Sequence, residues 1–390
     1  MIAHLFKLIW NKKKQNFLLI TEMLVSFLVV FAVFTLLVNN YKNYKEPMGM
    51  DYNDVWVANY TPPQNISNSD SAAMFVESLK QLIRSMPQVK ELTFTSANVP
   101  FSMNTSNSST SYNKQTTMSN FFGAEDSYAK VLGFNMVQGR WFTSEDNAAA
   151  TPPVVINQKL KEKLFANEDP LGKTIEFGSD KLRVIGVAAN AKTDGDYQEV
   201  EAGIYKRMDT GWLRWAGTIL LKVQPGTGAE FESKLYKALS NATGSSIEIE
   251  HLDKKLVSKN KLMLVPTIIM LVVAGFLIIN VALGLFGVLW YNISKRKGEI
   301  GLRRAVGASG AAVSKQLVGE ALVLSTLSLI IGLFFAVQFP LMNVFDISDD
   351  TYMIAIALAV AFIYILVALC AFYPGRQAAA IYPAVALHEE

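Results

Sequence analysis

Four long apolar stretches are the feature that most limits what this chain can fold into. A helix needs roughly 20 mostly apolar residues to cross about 30 Å of hydrocarbon. Charged residues make up only 18% of the chain and its mean hydropathy is +0.24, a composition atypical of water-soluble proteins of this size. The sequence therefore predicts an α-helical membrane protein with transmembrane helices at residues 17–38, 262–290, 317–345 and 352–373.

The basic residues predict which way these helices face, because Lys and Arg in short loops stay on the cytoplasmic side of a membrane. Residues 1–16 contain four lysines and no acid, and residues 291–316 contain six basic residues against Glu299 alone. Both segments are predicted inside, the first as an amphipathic helix, together with a cytoplasmic tail at 374–390. Residues 42–260 are then extracytoplasmic. Basic charge beside apolar stretches indicates membrane topology rather than nucleic-acid binding.

The long polar region between the first two helices has the pattern of an α+β domain. Short alternating strands and amphipathic helices predict one β-α-β unit over 54–97 and a second over 218–250. Two such units separated in sequence predict a split, ferredoxin-like core, with residues of about 100–215 inserted between them. The insertion opens with the Ser/Thr/Asn-rich stretch 102–120, which we expect to form a hairpin tip or loop that buries little.

Helical segments at both ends of this domain predict a stalk. Residues 41–46 can continue the first transmembrane helix until Pro47 stops it, and residues 251–263 can run as helix into the second. A stalk of this kind could carry movement between membrane and domain.

Catalytic and cofactor motifs are incomplete. The Gly-Lys-Thr tripeptide at 172–174 resembles the end of a phosphate-binding loop, but Asn167 stands where that motif requires glycine, so a strand-entry turn is favoured. His251 and Asp253 lack the nucleophile turn of a hydrolase, and we expect a solvated stalk histidine. The sequence predicts no catalytic residue, no metal site and no cofactor bound by this chain.

Polar and small residues inside the apolar stretches leave alternatives open. Glu22 and Glu320 are costly within a membrane, so each either pairs with or extends toward the basic segments, or lines a proton or substrate path. Small residues at four-residue spacing permit close helix packing, either within one subunit or at a dimer seam. These are Ser328 with Gly332 and Ala355 with Ala359.

Residues 294–309 carry the most informative pattern. The order of charged and apolar residues predicts a short amphipathic helix ended by Gly307. Such a helix either anchors the chain at the membrane interface or provides a charged binding surface for a cytoplasmic partner.

Several motifs resemble the FtsX/MacB-type permeases of ATP-binding-cassette systems. The most specific is Arg296-x-x-Glu299-Ile300-Gly301-x-Arg303-Arg304-Ala305-x-Gly307-Ala308. Further similar segments lie at 139–146, 169–173, 184–187, 316–321 and 373–387.

The resemblance implies a permease subunit of an export system in the bacterial inner membrane. Its helix at 294–309 would couple ATP hydrolysis by a separate cytoplasmic ATPase, which binds ATP and Mg, to motion of the extracytoplasmic domain. The substrate would be an antibiotic, a peptide or another envelope molecule. Implied partners are a second identical or related permease, membrane lipid and, in some envelopes, a periplasmic adaptor and an outer-membrane exit duct. The ATPase-coupling residues would be Arg296, Glu299, Ile300, Gly301, Arg303, Arg304, Ala305 and Gly307.

Two other interpretations remain. A permease that releases lipoproteins or regulates a cell-wall hydrolase would share this architecture. An extracytoplasmic enzyme or sensor anchored by four helices is the third.

Reporter fusions test the topology. A reporter fused after Glu390 or within 291–316 should be active only in the cytoplasm, and one within 102–120 only outside it. Paired cytoplasmic and export-dependent reporters at each position measure this, and the opposite result at any one position would overturn the topology.

Overall fold

The computed structural model describes residues 13–63, 68–103, 105–342 and 344–380. Most of the predicted helix at 1–16 and the end of the predicted tail lie outside the described residues. The chain divides into two compact units, one of residues 1–42 with 265–390 and one of residues 43–264. Each unit has its own hydrophobic core.

The elements follow the chain in this order. Helix α1 (Lys13–Lys45) comes first. The α+β domain contains β1 (Val55–Asn59), α2 (Ser69–Arg84), β2 (Val89–Thr95), β3 (Asn107–Tyr112), β4 (Gln115–Ala124), α3 (Tyr128–Leu132), β5 (Met136–Gly139), β6 (Pro153–Asn157), α4 (Gln158–Phe165), β7 (Thr174–Phe177), β8 (Asp180–Ala188), β9 (Gly203–Arg207), α5 (Thr210–Leu213), β10 (Thr218–Val223), α6 (Ala229–Thr243) and β11 (Glu248–His251). The remaining helices are α7 (Leu252–Lys295), α8 (Lys297–Ala305), α9 (Gly310–Ala336), α10 (Gln338–Leu341) and α11 (Asp349–Ala379).

Four helices in the described part of the chain are long and apolar enough to cross a membrane: α1, α7, α9 with its continuation α10, and α11. The first two continue beyond their apolar stretches, as the stalk prediction expects. Helix α1 reaches Lys45, just before Pro47, and α7 begins at Leu252, directly after β11.

Two predicted boundaries were wrong around the third helix. Helix α9 begins at Gly310 because the Ser309 hydroxyl caps it, accepting a hydrogen bond from the Ala312 amide at 3.2 Å. Much of the predicted 291–316 segment therefore belongs to α7 and α9. The end predicted at residue 345 is too late, because α10 ends at Leu341 and Phe345 adopts a left-handed φ of 61° in a short 3-10 turn.

The small residues inside the transmembrane helices pack within the unit. A Cβ atom on Gly332 would lie 2.4 Å from the Phe27 ring, so glycine permits that contact. Ser328, Ala355 and Ala359 are fully buried in the described chain. Of the two alternatives for these residues, packing within one subunit is the one observed.

Both faces of the core sheet are covered. Strands β11, β1, β10 and β2 are neighbours in that order, and each adjacent pair is antiparallel. On β1, Trp56 and Ala58 pack in a cluster with α2 and α6, while Val55 and Val57 pack in a second cluster with α3 and Leu252. This alternation follows from the two-residue period of a strand.

The insertion is a closed ring of strands. Neighbouring strands run β4-β3-β7-β8-β6-β9, and β9 returns to pair in parallel with β4. Buried aliphatic residues such as Val154, Ile175 and Leu182 fill this barrel. Closure leaves these six strands without free edges along the ring.

The hairpin expected at 102–120 is formed by β3 and β4, and, as expected, most of its described residues are exposed or half-buried. The exceptions are Thr110 and Ser119, which are buried and hydrogen-bonded to each other, and Asn120. Polar side chains can be buried here because they satisfy one another's hydrogen bonds.

The segment Gly139–Asp146 contains a close backbone approach to β8 and an ion pair. Gly139 pairs with Gly186 between β5 and β8, and a Cβ atom on Gly186 would lie 2.3 Å from the Arg140 carbonyl oxygen. The Arg140 guanidinium donates two hydrogen bonds of 2.7 Å to the Asp146 carboxylate. These bonds, opposed by burial and reinforced by the Thr143 amide, lower the pKa of Asp146 from 3.8 to about 2.

Asp146→Asn tests this pair by its pH dependence. Because the pKa of Asp146 is lower in the folded chain, its carboxylate stabilises the fold above about pH 4, and the contribution is lost as the pH falls toward 2. We expect the variant to lose about 2 kcal/mol of unfolding free energy at pH 7 and less at pH 3. Chemical unfolding of the detergent-solubilised full chain measures this. Glu145→Gln is the matched control, and an equal loss at both pH values would contradict the assignment.

Candidate functional site

Helix α8 is the short amphipathic helix that the sequence predicts. It ends at a left-handed Gly307, whose φ is +100°. The Ala308 amide donates to the Arg303 carbonyl oxygen at 3.0 Å, and the Gly307 amide donates to that of Arg304 at 3.2 Å. This paired arrangement is the Schellman helix end, which favours glycine at the left-handed position.

The inward face of α8 is fixed to the ends of three long helices. Ile300 is buried in a cluster with Ile293 of α7, Val313 and Leu317 of α9, and Ala378 of α11. Gly301 is also buried. In addition, the Arg304 guanidinium donates a hydrogen bond of 2.7 Å to the Ala379 carbonyl oxygen at the end of α11.

The predicted coupling charges form a network inside this unit. Arg296 lies 3.0 Å from Glu299 and 3.1 Å from Glu320, and Glu299 lies 2.6 Å from Arg303. Arg303 also donates to Gln316 at 2.8 Å. The hydrogen bond to Glu299, opposed by burial and reinforced by Glu320, raises the pKa of Arg296. These charges hold α8 to its own unit. Because they are already paired there, they are less available for ion pairs with a partner protein.

The outward face of α8 is apolar. Leu302 is 56% exposed and Val306 is 82% exposed, and Ala305 beside them is exposed as well. Leu302 and Val306 line a groove of about 410 Å³ together with Arg303, Ala308, Ala312, Val313 and Gln316. The sequence pattern included Val306 in the amphipathic helix but gave neither Leu302 nor Val306 a contact role. Their i, i+4 spacing, opposite Ile300 on a helical wheel, was the signal that could have identified them.

The two acidic residues within apolar stretches behave differently. Glu320 pairs with Arg296 and accepts a hydrogen bond from Gln316 at 3.1 Å. This agrees with the interpretation that it pairs with a basic segment. Within the described residues Glu22 has no ion pair. Its carboxylate lies so close to Gly284 that a Cβ atom there would be 2.8 Å from Oε2 of Glu22.

A second candidate site is the stalk-binding loop, residues 192–198, between β8 and β9. Lys192 is 1% exposed, and its amine donates hydrogen bonds to the carbonyl oxygens of Asn43 and Glu46 at the end of α1 and to that of Asp196. Burial lowers the pKa of Lys192, against the opposing effect of Glu46 and Asp196. The amine therefore supplies hydrogen-bond donors to two carbonyl groups at the end of the helix, of which that of Asn43 also accepts from the Glu46 amide at 3.1 Å.

The same loop also contacts the start of α7. Asp194 forms an ion pair of 3.1 Å with Lys259, which is 4% exposed. Asn260 exchanges two hydrogen bonds with Asp196, of 3.0 Å and 2.6 Å. One short loop thus binds the two helical segments that enter and leave the α+β domain. The sequence analysis did not identify this loop, because no spacing rule relates Lys192 to Asn43.

The motifs considered for catalysis have structural roles. His251 is the last residue of β11, and its ring stacks on Trp56 at a centroid distance of 4.5 Å, so the expected solvated histidine was wrong. Gly172 adopts a left-handed turn with φ of +77° just before β7, and Lys173 pairs with Glu168 at 2.8 Å. No cluster of three or more metal-ligating side chains occurs in the ranges that the structure describes.

Comparison with known families accounts for both units. Residues 17–235 match the MacB-like periplasmic core domain, and residues 271–383 match the FtsX-like permease C-terminal domain. The first match alone covers more than half of the 390 residues. The chain belongs to the MacB/FtsX-type permease family.

Relatives within this family are larger proteins. The macrolide export ATP-binding/permease protein MacB of Aggregatibacter actinomycetemcomitans is 28% identical over 236 residues, covering 57% of this chain and 35% of that protein. MacB of Neisseria meningitidis is 27% identical over 322 residues, covering 74% of this chain and 46% of that protein. The chain thus spans less than half the length of these relatives.

Similar solved structures cover the α+β domain. The periplasmic region of MacB from Actinobacillus actinomycetemcomitans has a TM-score of 0.39 and 20% identity, covering 55% of this chain and 95% of that chain. The extracellular domain of the ABC-type transporter YknZ from Gram-positive bacteria has a TM-score of 0.36 and 18% identity, covering 50% and 99%.

Family membership and four apolar helices describe a multi-pass permease of the bacterial inner membrane. Members of this family work with a cytoplasmic ABC ATPase. The two domains matched in this MacB/FtsX-type chain are both permease domains, and neither is an ATPase domain.

Lys192→Met tests the stalk-binding loop of this permease. Methionine keeps the volume of the side chain but removes the Lys192 donor from three carbonyl oxygens, so we expect a loss of about 2–3 kcal/mol in stability. For a domain of this size that loss corresponds to a decrease in Tm of roughly 4–12 °C. Thermal unfolding of the purified full chain, followed by tryptophan fluorescence, measures it.

Lys181→Met is the matched control, because Lys181 is exposed on β8 and should change stability by less than about 0.5 kcal/mol. Equal melting temperatures for the two variants would show that Lys192 does not hold the stalk.

Proposed function

We propose that this chain transmits motion from a separate cytoplasmic ATPase to an extracytoplasmic α+β domain, as the permease subunit of an export system. The observation that carries the proposal is the exposed apolar face of α8, a helix whose other face is fixed to three long helices. A rigidly mounted surface of this kind can receive displacement from a partner and pass it to the helices that hold it.

A protein partner suits this surface better than lipid alone. The charges of α8 are largely engaged within the unit, while Leu302 and Val306 are left exposed beside a groove. Exposed apolar residues beside a groove, with polar residues around them, are typical of an interaction site. The charged residues predicted to contact the ATPase thus support the interface by fixing α8, and Leu302 and Val306 provide its contact surface.

Transmission along the chain is favoured by the geometry of α7. Its 44 residues form one helix from β11 to the residue before Arg296, with Pro266 inside it. The stalk-binding loop holds the first turns of α7 and the end of α1 through Lys259, Asn260 and Lys192. Displacement of either helix would therefore reach the inserted barrel, from which this loop projects.

The substrate class rests on similarity alone. The relatives named for macrolide export favour efflux of an antibiotic, peptide or other envelope molecule over lipoprotein release or hydrolase regulation. ATP and Mg would be bound by the ATPase. A periplasmic adaptor and an outer-membrane exit duct would complete the system in envelopes with two membranes.

Leu302→Asp and Val306→Asp test the ATPase interface. Each places a carboxylate in a contact that we propose is buried, which costs several kcal/mol if it stays unpaired. We expect at least roughly tenfold less ABC ATPase to co-purify with the tagged chain from its native membranes. Quantitative mass spectrometry and ATP hydrolysis of the purified complex measure this.

Ala311→Asp is the matched control, because Ala311 is exposed near the same end of α9 but does not line the groove. Glu299→Lys should also lose the ATPase, because it breaks the ion pairs that fix α8. Normal ATPase recovery with both Leu302→Asp and Val306→Asp would refute the interface.

A further inference from the structure

Glu22 is an acidic side chain inside the first transmembrane helix, and its carboxylate lies against α7. It is half-buried, and a Cβ atom on Gly284 would stand 2.8 Å from its Oε2 atom and 3.2 Å from Oε1. Glycine at 284 therefore leaves the space that the carboxylate occupies. Because Glu22 follows Phe17 closely and Gly284 shortly precedes Trp290, each lies roughly 7–9 Å inside the predicted cytoplasmic end of its apolar stretch.

This carboxylate has no hydrogen-bond donor or ion-pair partner in the part of the chain that the structure describes. Glu320, the other acidic side chain of the apolar stretches, is paired with Arg296 at 3.1 Å. An unpaired carboxylate in hydrocarbon is costly, so it either takes up a proton or binds a cation.

A second acceptor lies one helical turn from the contact between Glu22 and Gly284. Asn280 is exposed four residues before Gly284, and side chains at this spacing stand about 6 Å apart on one face of a helix. Its amide nitrogen donates to the Phe276 carbonyl oxygen at 2.8 Å. Its amide oxygen accepts no hydrogen bond from any described residue, and hydrocarbon supplies no donor.

The surface of α7 beside Glu22 is open and apolar. Gly287 is exposed, and nothing lies within 4 Å of where its Cβ atom would be. Leu283 is 66% exposed. A helical wheel places Gly284 at the border between this open face and the packed side of α7. A molecule dissolved in the bilayer can therefore reach the carboxylate from the side.

We propose that Glu22 and Asn280 bind the ammonium group of a lipophilic amine whose apolar body lies over Gly287 and Leu283. An ammonium group brings a positive charge to the carboxylate and N–H donors to both oxygens. An inorganic cation is disfavoured, because it would have to lose its hydration shell and has no apolar part. The amine headgroup of phosphatidylethanolamine has the same donors but is held at the membrane surface, above the depth of Glu22. The site is separate from the α8 interface, so either can fail without the other.

Binding of dansylcadaverine, a fluorescent primary amine with an apolar dansyl group, tests the site. The full chain is placed in phosphatidylcholine nanodiscs, whose lipid headgroup has no N–H donor, and saturable energy transfer from tryptophan to dansyl is measured. We expect Glu22→Gln to weaken binding at least roughly tenfold, because it removes the charge and keeps the shape of the side chain. Asp349→Asn is the matched control, because Asp349 is an exposed acid outside the apolar stretches, and binding should not change.

Gly287→Leu tests the groove with Glu22 intact. A Cβ atom at this position meets nothing within 4 Å, and leucine favours a helix more than glycine does, so the fold should be retained. The new side chain would occupy the place of the apolar body, and we expect saturable binding to be lost. Asn280→Leu should weaken binding about threefold.

Three results would overturn this proposal. They are no saturable binding to the unchanged chain, equal affinity of the Glu22→Gln variant, and equal affinity of the Gly287→Leu variant. Displacement of the probe by phosphatidylethanolamine added to the nanodiscs would overturn a free amine as the ligand.

Discussion

Backbone hydrogen bonding in hydrocarbon is the constraint on which this structure depends. Since no water is present there, a spanning segment must satisfy its own N–H and C=O groups, and a helix does so within itself. Helix α7 runs over 44 residues, well beyond the length needed to cross a membrane, and only Pro266 within it has no N–H to donate. What is attached at each of its ends matters for the proposed function. At one end is β11, and at the other is the short helix α8.

The charged and the apolar residues of α8 have different roles. At the base of the helix Arg296 pairs with Glu299 and Glu320, and Arg303 supplies the second positive charge by pairing with Glu299, where an unpaired charge would be costly. Ile300 faces inward while Leu302 and Val306 face outward, so the helix is amphipathic in an unusual sense, with two apolar sides separated by charges. One side is needed for attachment, and the other remains available for a partner.

The sequence predicts the elements that have a period or an end signal. The apolar runs, the two β-α-β units and the helix end at Gly307 all come from local rules, and the structure has each of them. The Arg296–Glu320 pair also follows from basic and acidic residues near one interface. The contacts of Lys192 and the closure of β9 onto β4 join residues far apart in the chain, and no local pattern encodes them. The prediction for His251 failed for the same reason, because its ring is covered by Trp56 of β1, a neighbouring strand in the sheet that is far away in sequence.

The closed barrel has a consequence for how force spreads through the α+β domain. In an open sheet, a pull on one loop can slide or peel an edge strand. In the barrel, β8 and β9 are both held by neighbours on each side, and the stalk-binding loop joins these two strands. A force applied to Lys192 or Asp194 is thus distributed over all six strands. Under the proposed transmission, the six strands would therefore move together rather than one strand separating from its neighbours.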